Sequence, residues 1–266
     1  MIDIKNIDGF TNEYEFVKYL NGRMVSELNP LFRELIDNLF YGFKEYSVIK
    51  CWRNHQKQKT DIFIKIDNII KGISIKKGIK NSVHVDKISE FIHFLIENKI
   101  NKDIIEKYLK YHYADGTTNG SGLIRLPIEE YKKKHQESID EINKAFNTKE
   151  LLNNAIERFI LKGNNSKYSI DALVYGEVND FFWLTKDEIS EIILSKKDIY
   201  SSAVHFGSIT CQPKSRCLNY NPKYEKDRFC VQLKWYNLHD EIIEYKNNQV
   251  IKSRIMIEEI DKMLSE

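Results

Sequence analysis

The chain reads as an α+β (α/β) protein. Three observations predict this: helix signals near the start, period-two apolar runs between residues 46 and 77, and a second strand-rich stretch after residue 166, beyond a polar helical middle. Of 266 residues, 42% are hydrophobic and 30% charged, which suits a soluble globular protein with a real core, in one large or two modest domains. The net charge of +2 gives no global field that drags the chain onto nucleic acid, so any such binding must come from a local patch. The 33 lysines outnumber the 8 arginines, which makes each arginine worth locating. The segment MIDIKNIDGF lacks the basic start and apolar run of a signal peptide. No stretch approaches the roughly 18 uncharged apolar residues of a membrane span. Four cysteines make no disulfide framework. The expectations are a cytoplasmic, reduced setting and no membrane partner.

Thr11 can cap a short helix from Asn12 to Leu20. A clearer start follows at Asn29-Pro30, where Asn is a good N-cap and Pro suits the first helical position. Leu31, Leu35 and Leu39, with Phe32, Ile36 and Phe40 beside them, form a broad apolar stripe that Gly42 stops. Tyr46 to Trp52 is short and β-branched. Ile62, Ile64 and Ile66 alternate with Phe63 and Lys65, and Ile73 and Ile75 alternate with Ser74 and Lys76 across the turn pair Asp67-Asn68. These are three strands, the last two a hairpin. Gly78 to Val85 reads as a loop and Asp86 as the cap of a helix carrying Ile88, Phe91, Ile92 and Leu95. Further helices are predicted at 103–112, 126–144, 148–160, 186–194 and 253–264. Strands are predicted at 168–175, 181–184, 203–209 and 229–236, with a basic loop at 212–228. The expected organisation is a core over 1–100, a helical insertion over 101–165 and a β-rich part over 166–266, packed as one unit.

The chemistry-bearing region is 61–84. Asp61 opens one strand of the hairpin, and Ser74-Ile75-Lys76 lies in its partner. Residues two apart on a strand share a face, so Ser74 and Lys76 point the same way, and Asp61 can approach Lys76 at the open end of the hairpin. A carboxylate beside a lysine on a sheet edge suits metal-assisted phosphodiester hydrolysis: oxygen ligands hold Mg²⁺, and the lysine orients water and offsets developing charge.

Thr60-Asp61 followed by Ser74-Ile75-Lys76, inside a helix, three strands and helix over 30–98, resembles the PD-(D/E)xK nuclease superfamily, to which many restriction endonucleases belong. Asn81-Ser82-Val83-His84 is similar to a stretch of some restriction-type nucleases. The resemblance implies a restriction-endonuclease-like mixed sheet flanked by helices, Asp61 as a metal ligand and Lys76 acting on the nucleophilic water. Two departures stand out: Thr60 replaces the Pro, and Ser74 stands where a carboxylate is expected. Ser74 is then a spacer or a water-mediated ligand. The Ile75 carbonyl can coordinate, and the missing acid is expected from the first core helix, with Glu34 the candidate and Glu27 just before it. The resemblance further implies a type II restriction endonuclease that uses Mg²⁺ on double-stranded DNA, acts as a homodimer and has a cognate methyltransferase. The alternatives are a DNA-binding protein with a degenerate, non-cutting core, and an interaction protein whose lysines are solvent only.

Lys65, Lys71, Lys76, Lys77 and Lys80 fall within sixteen residues and can neutralise phosphates. Asn81, Ser82 and His84 either contact phosphate or cap the following helix. Gln212, Lys214, Arg216, Arg228, Gln232 and Lys234 lie within 23 residues. Gln and Arg can bond base edges bidentately, so this loop and strand are the expected sequence readers. An amphipathic edge strand with a basic turn is the plainer reading. His205, Cys211, Cys217 and Cys230 show no zinc spacing. Asp115, Thr117, Asn119 and Gly120 start like a calcium loop, but its last position is Leu126 rather than Glu. Trp52, Trp183 and Trp235 are expected in the core.

Overall fold

A computed structural model of the chain describes residues 9–56, 58–78, 81–164, 168–214 and 221–265. Two sheets organise it. The first runs β1 (Ile49–Arg53), β2 (Ile62–Ile66), β3 (Ile69–Lys76), β5 (Ala172–Glu177), β6 (Asp180–Thr185). The second runs β4 (Asn81–Lys87), β9 (Cys230–Trp235), β8 (Ile209–Pro213), β7 (His205–Phe206). β3 and β5 pair in parallel; the other neighbouring strands pair antiparallel. The sheets thus ignore the expected divisions at 100 and 165: β5 and β6 complete the first sheet, and β4 leaves the N-terminal part to join the second.

Helices α1 (Gly9–Leu20) and α2 (Pro30–Leu39) cover one face of the first sheet. The Asn29 cap forms as its sequence requires, its side chain accepting from the Phe32 N–H at 2.9 Å. Phe16, Phe32 and Phe181 meet with ring centroids 5.7, 5.3 and 4.8 Å apart, in tilted and edge-on geometries suited to aromatic quadrupoles. Strand alternation divides β5 between two cores. Ala172 and Val174 face α1 and α2, whereas Leu173 faces a second core built from α3 (Ile88–Glu97), α4 (Lys102–Tyr113), α5 (Ile128–Phe146), α6 (Lys149–Ala155) and α7 (Lys186–Ser195). Val231, Leu233 and Trp235 of β9 close that core from the second sheet. A π-helical turn, Ile156–Lys162, continues α6, and α8 (Leu238–Ser265) ends the described chain. No helix among the described residues is long and apolar enough to cross a membrane.

Several expectations change. The predicted loop 78–85 is largely strand β4, because Asn81, Val83 and Asp86 turn inward against β9, a partner some 150 residues away that no local pattern reveals. Asp86 is not a helix cap; α3 begins after Lys87, and the buried Asp86 bonds Asn164 and Arg158 instead. Trp52 lies outside the core at 39% exposure, stacked on Phe63. The basic loop contains a 3-10 helix, Pro222–Phe229, and α8 begins fifteen residues earlier than its apolar pattern suggested.

Candidate active site

The hairpin β2–β3 turns at Asp67, whose φ of 51° is left-handed. Before β2 the ladder continues irregularly: the Asp61 N–H donates to the Ile73 carbonyl at 2.9 Å. That bond sets Asp61 across from the start of the Ser74-Ile75-Lys76 run. Its Oδ2 then accepts from the Ile75 N–H at 2.6 Å and the Ser74 hydroxyl at 3.0 Å, with the Lys76 ammonium 3.5 Å away. The Lys76 ammonium also donates to the Ile75 carbonyl at 3.1 Å. Gly72 permits this close strand approach, since a Cβ there would lie 2.9 Å from the buried Thr60 Oγ1.

Asp61 and Lys76 open onto a cleft of about 420 Å³ at the seam between the sheets. Its other walls are Lys59, the β4 residues Ser82 to Val85, and Lys162 to Asn164 at the end of the π-helical turn. β4 carries a bulge between Ser82 and His84, which frees the Val83 carbonyl from the ladder. The Lys59 ammonium donates to it, so a residue beside Asp61 is fastened to the second sheet. Burial, helped by the Lys76 charge, lowers the Lys59 pKa to about 7 against the pull of Asp61. Burial likewise holds the His84 imidazole below its ordinary value despite Asp86 beside it. Burial alone would raise Asp86, but His84, Asn164 and Arg158 outweigh it and hold its carboxyl low.

The acid that feels Asp61 electrostatically is Glu13, on α1. Burial and the Asp61 charge raise the Glu13 pKa, while Arg53, 3.0 Å away, and Lys76 pull it down. Glu34, the expected helper, projects from the exposed face of α2 and makes no contact with Asp61 or Lys76, because Phe32, Leu35 and Ile36 take the inward face. Glu27 caps a short turn at the Met24 N–H. Nothing in the sequence separates Glu13 from Glu15, and Lys59 carried no motif.

Ser74 is buried, and its hydroxyl donates to Asp61 and so helps to fix the carboxylate. Among the described residues no group of three or more His, Cys, Asp or Glu side chains is arranged to hold a metal ion. The oxygen donors here still fit a hard divalent cation such as Mg²⁺, which keeps several waters and needs one or two carboxylates. The three donors near Asp61 all meet Oδ2, no described donor meets Oδ1, the Ile75 carbonyl is adjacent, and Glu13 is within electrostatic reach.

The expected DNA contacts divide. Gln212 and Gln232 are direct cross-strand partners, and so are Thr210 and Lys234; Ser82 on β4 faces Lys234, and its hydroxyl accepts from Gln232 at 3.2 Å. Gln212, Gln232 and Lys234 line a second cleft of about 630 Å³ with Arg125, Lys132 and Tyr236. Ser82, which lines the first cleft, joins the two. Asn81 is buried and bonds the Gly78 carbonyl at 3.1 Å. Lys77 pairs with Glu177, and Lys71 with Asp171 at 3.1 Å. Lys214 pairs with Asp227 at 2.9 Å. Arg228 turns inward onto Asp115 at 2.6 Å and onto the Gly122 carbonyl, holding the glycine-rich loop 115–122. Lys80 and Arg216 lie outside the described residues, as does Cys217.

No protein-family model matches the chain, and no curated protein matches it. Among solved structures it is similar to the restriction endonuclease MspI, solved in complex with its cognate DNA, with a TM-score of 0.51 and 14% sequence identity over 85% of this chain and 91% of that one.

Proposed function

Starting from a restriction-endonuclease-like fold, we propose that the chain is a divalent-metal-dependent, site-specific endonuclease of double-stranded DNA, of the type II restriction class. The observation that carries this reading is the convergence of Asp61 and Lys76 on an open polar cleft at the seam of the sheets, beside a polar strand face. Asp61 Oδ1, the Ile75 carbonyl and Glu13 would hold Mg²⁺, which when bound offsets phosphate charge and acidifies a water. Lys76 orients the attacking water and offsets the charge that builds on the scissile phosphate. Ser74 and the Ile75 N–H hold the Asp61 carboxylate in one orientation. Lys59 fixes the β4 wall against which the DNA backbone lies. Gln212 and Gln232 read base edges, and Lys234 contacts phosphate. The same reading implies a cytoplasmic enzyme, a two-fold assembly at a palindromic target and a companion methyltransferase that protects host DNA.

Ser74 in place of an acid favours a second reading, a DNA-binding protein whose nuclease core does not cut. Plasmid DNA incubated with purified protein and Mg²⁺ separates the two. Discrete linear products from the wild type, absent with Asp61→Asn and Lys76→Ala, support the endonuclease. DNA binding without cleavage in Mg²⁺ or Mn²⁺ supports the second reading.

A further inference from the structure

One face of the first sheet is left uncovered at β1 and β2. Ile49, Cys51, Ile62, Ile64 and Ile66 turn to α1 and α2, so strand alternation sends Lys50, Trp52, Phe63 and Lys65 to the other side. No residue of β1 or β2 belongs to the second core, which covers this side of the sheet at Leu173 of β5. The four are cross-strand partners, Trp52 facing Phe63 and Lys50 facing Lys65. The Trp52 and Phe63 rings stack with centroids 5.6 Å apart and planes at 29°, and Trp52 stays 39% exposed. They wall a cavity of about 680 Å³ whose lining includes Ile70, the exposed Tyr168, Asp171 and Lys186 at the start of α7. The cavity adjoins the cleft at Asp61 across the buried Thr60. Lys59 and Asp61, the chain neighbours of Thr60, line the cleft, and Gly72, against the Thr60 side chain, lines the cavity.

We propose that this face binds single-stranded DNA, with one unpaired base stacked in the cavity on Trp52 and Phe63, and with Lys50, Lys65 and Lys186 on the phosphates to either side. The charges select an anion. Like charges directly opposite on a sheet are destabilising, yet Lys50 and Lys65 stand so, and neither is paired with a carboxylate among the described residues. The acid in the cavity wall, Asp171, is taken up by Lys71 and the Gly72 N–H and leaves Lys186 uncompensated. The rings select a base. Every base has a flat π-face, and aromatic rings set among cations suit a single strand, whereas the bases of a duplex are stacked on one another. The spacing selects a strand over a lone nucleotide. Lys50 and Lys65 lie two residues, about 6.6 Å, along the strands from the rings, and Lys186 lies on the β5 side of the cavity, so one phosphate group cannot reach both sets. The choice of DNA over RNA rests on the nuclease reading. The platform itself does not require the cleft to cut.

Fluorescence anisotropy of the full chain with a fluorescein-labelled oligo(dT) of about 20 nucleotides tests it, in EDTA so that metal-dependent cleavage plays no part. The expected result is binding at low salt with a dissociation constant on the order of micromolar. Trp52→Ala weakens it roughly tenfold, and Trp52→Phe, which keeps a stacking face, recovers most of the loss. Lys50→Ala with Lys65→Ala lowers the salt slope by about 1.4, the share of two phosphates on a single strand. Circular-dichroism melts stay unchanged for Trp52→Ala and for the lysine pair, since none of these side chains belongs to either core. No binding at about 100 μM protein, an affinity indifferent to Trp52→Ala, or oligo(U) bound as tightly as oligo(dT) overturns the proposal. A chain that binds oligo(dT) through Trp52 and never cuts plasmid sinks the nuclease reading and leaves this one standing.

Discussion

The carbonyl of Val83, freed by the bulge in β4, accepts the ammonium of Lys59 two residues before Asp61. Lys59 is half-buried as a whole, but its ammonium is held at this junction, and burial together with Lys76 lowers its pKa from 10.5 to about 7. Between those two values the unfolded chain binds more protons than the folded one, so this lysine makes stability rise with pH across the window. Thermal unfolding from pH 7 to pH 10 should show a rise in the wild type that is missing in Lys59→Met. Parallel curves for the two proteins would mean that the ammonium is not sunk there.

Ser74→Asp places a carboxylate where the PD-(D/E)xK pattern has one but sets it against Asp61, since the Ser74 hydroxyl is only 3.0 Å from Asp61 Oδ2. Two carboxylates that close repel unless a proton or a cation joins them. In EDTA the variant should lose about 2 kcal/mol of stability, and millimolar Mg²⁺ should return most of it. A loss that Mg²⁺ leaves untouched argues against a cation at Asp61.

On the proposed endonuclease reading, Lys76→Ala should lower the rate of DNA cleavage roughly 10²- to 10³-fold, the usual effect of losing one donor aimed at developing charge. Binding should persist, with the salt dependence of the affinity reduced by about one unit of slope. Lys76→Arg should not rescue the rate, because a planar guanidinium cannot occupy the point position of the ammonium. Single-turnover kinetics beside equilibrium binding at several salt concentrations separate these effects.

Arg228→Ala should act on folding. Its guanidinium is the partner of Asp115, whose side chain is fully buried. Stripping one member from such a pair costs about 3–5 kcal/mol, because the other is left uncompensated. Urea unfolding reads the loss, and adding Asp115→Asn should recover part of it.

If Gln212 and Gln232 read bases as proposed, Gln212→Ala and Gln232→Ala should each relax preference at one base pair by about 1–3 kcal/mol, whereas Lys234→Ala should weaken all duplexes alike. Competition binding against a randomised duplex pool distinguishes loss of discrimination from loss of affinity.

Much of the N-terminal region was legible because its signals are local. The Asn29-Pro30 cap, the Asp67 turn and the alternating isoleucines each fix their own element, and the hairpin alone brings Asp61 and Lys76 within 3.5 Å. What stayed hidden depends on distant partners. β4 looked like a loop because its pairing with β9 spans about 150 residues of sequence. Glu34 looked like the helper because it sits on a well-capped helix, yet the apolar face of α2 turns it to solvent, and Glu13 reaches Asp61 electrostatically from α1. Arg228 looked like a base reader because arginine is rare here; its partner Asp115 lies 113 residues away.

The pairing of β4 with β9 also governs when the cleft can exist during synthesis. Ser82 to Val85 form one of its walls, yet the strand that supports them is not made until residue 235 has left the ribosome. β3 similarly waits about 100 residues for β5. A nascent chain that has not reached residue 235 therefore carries Asp61 and Lys76 without the surface that frames them, and the cleft takes shape only once β9 has been made.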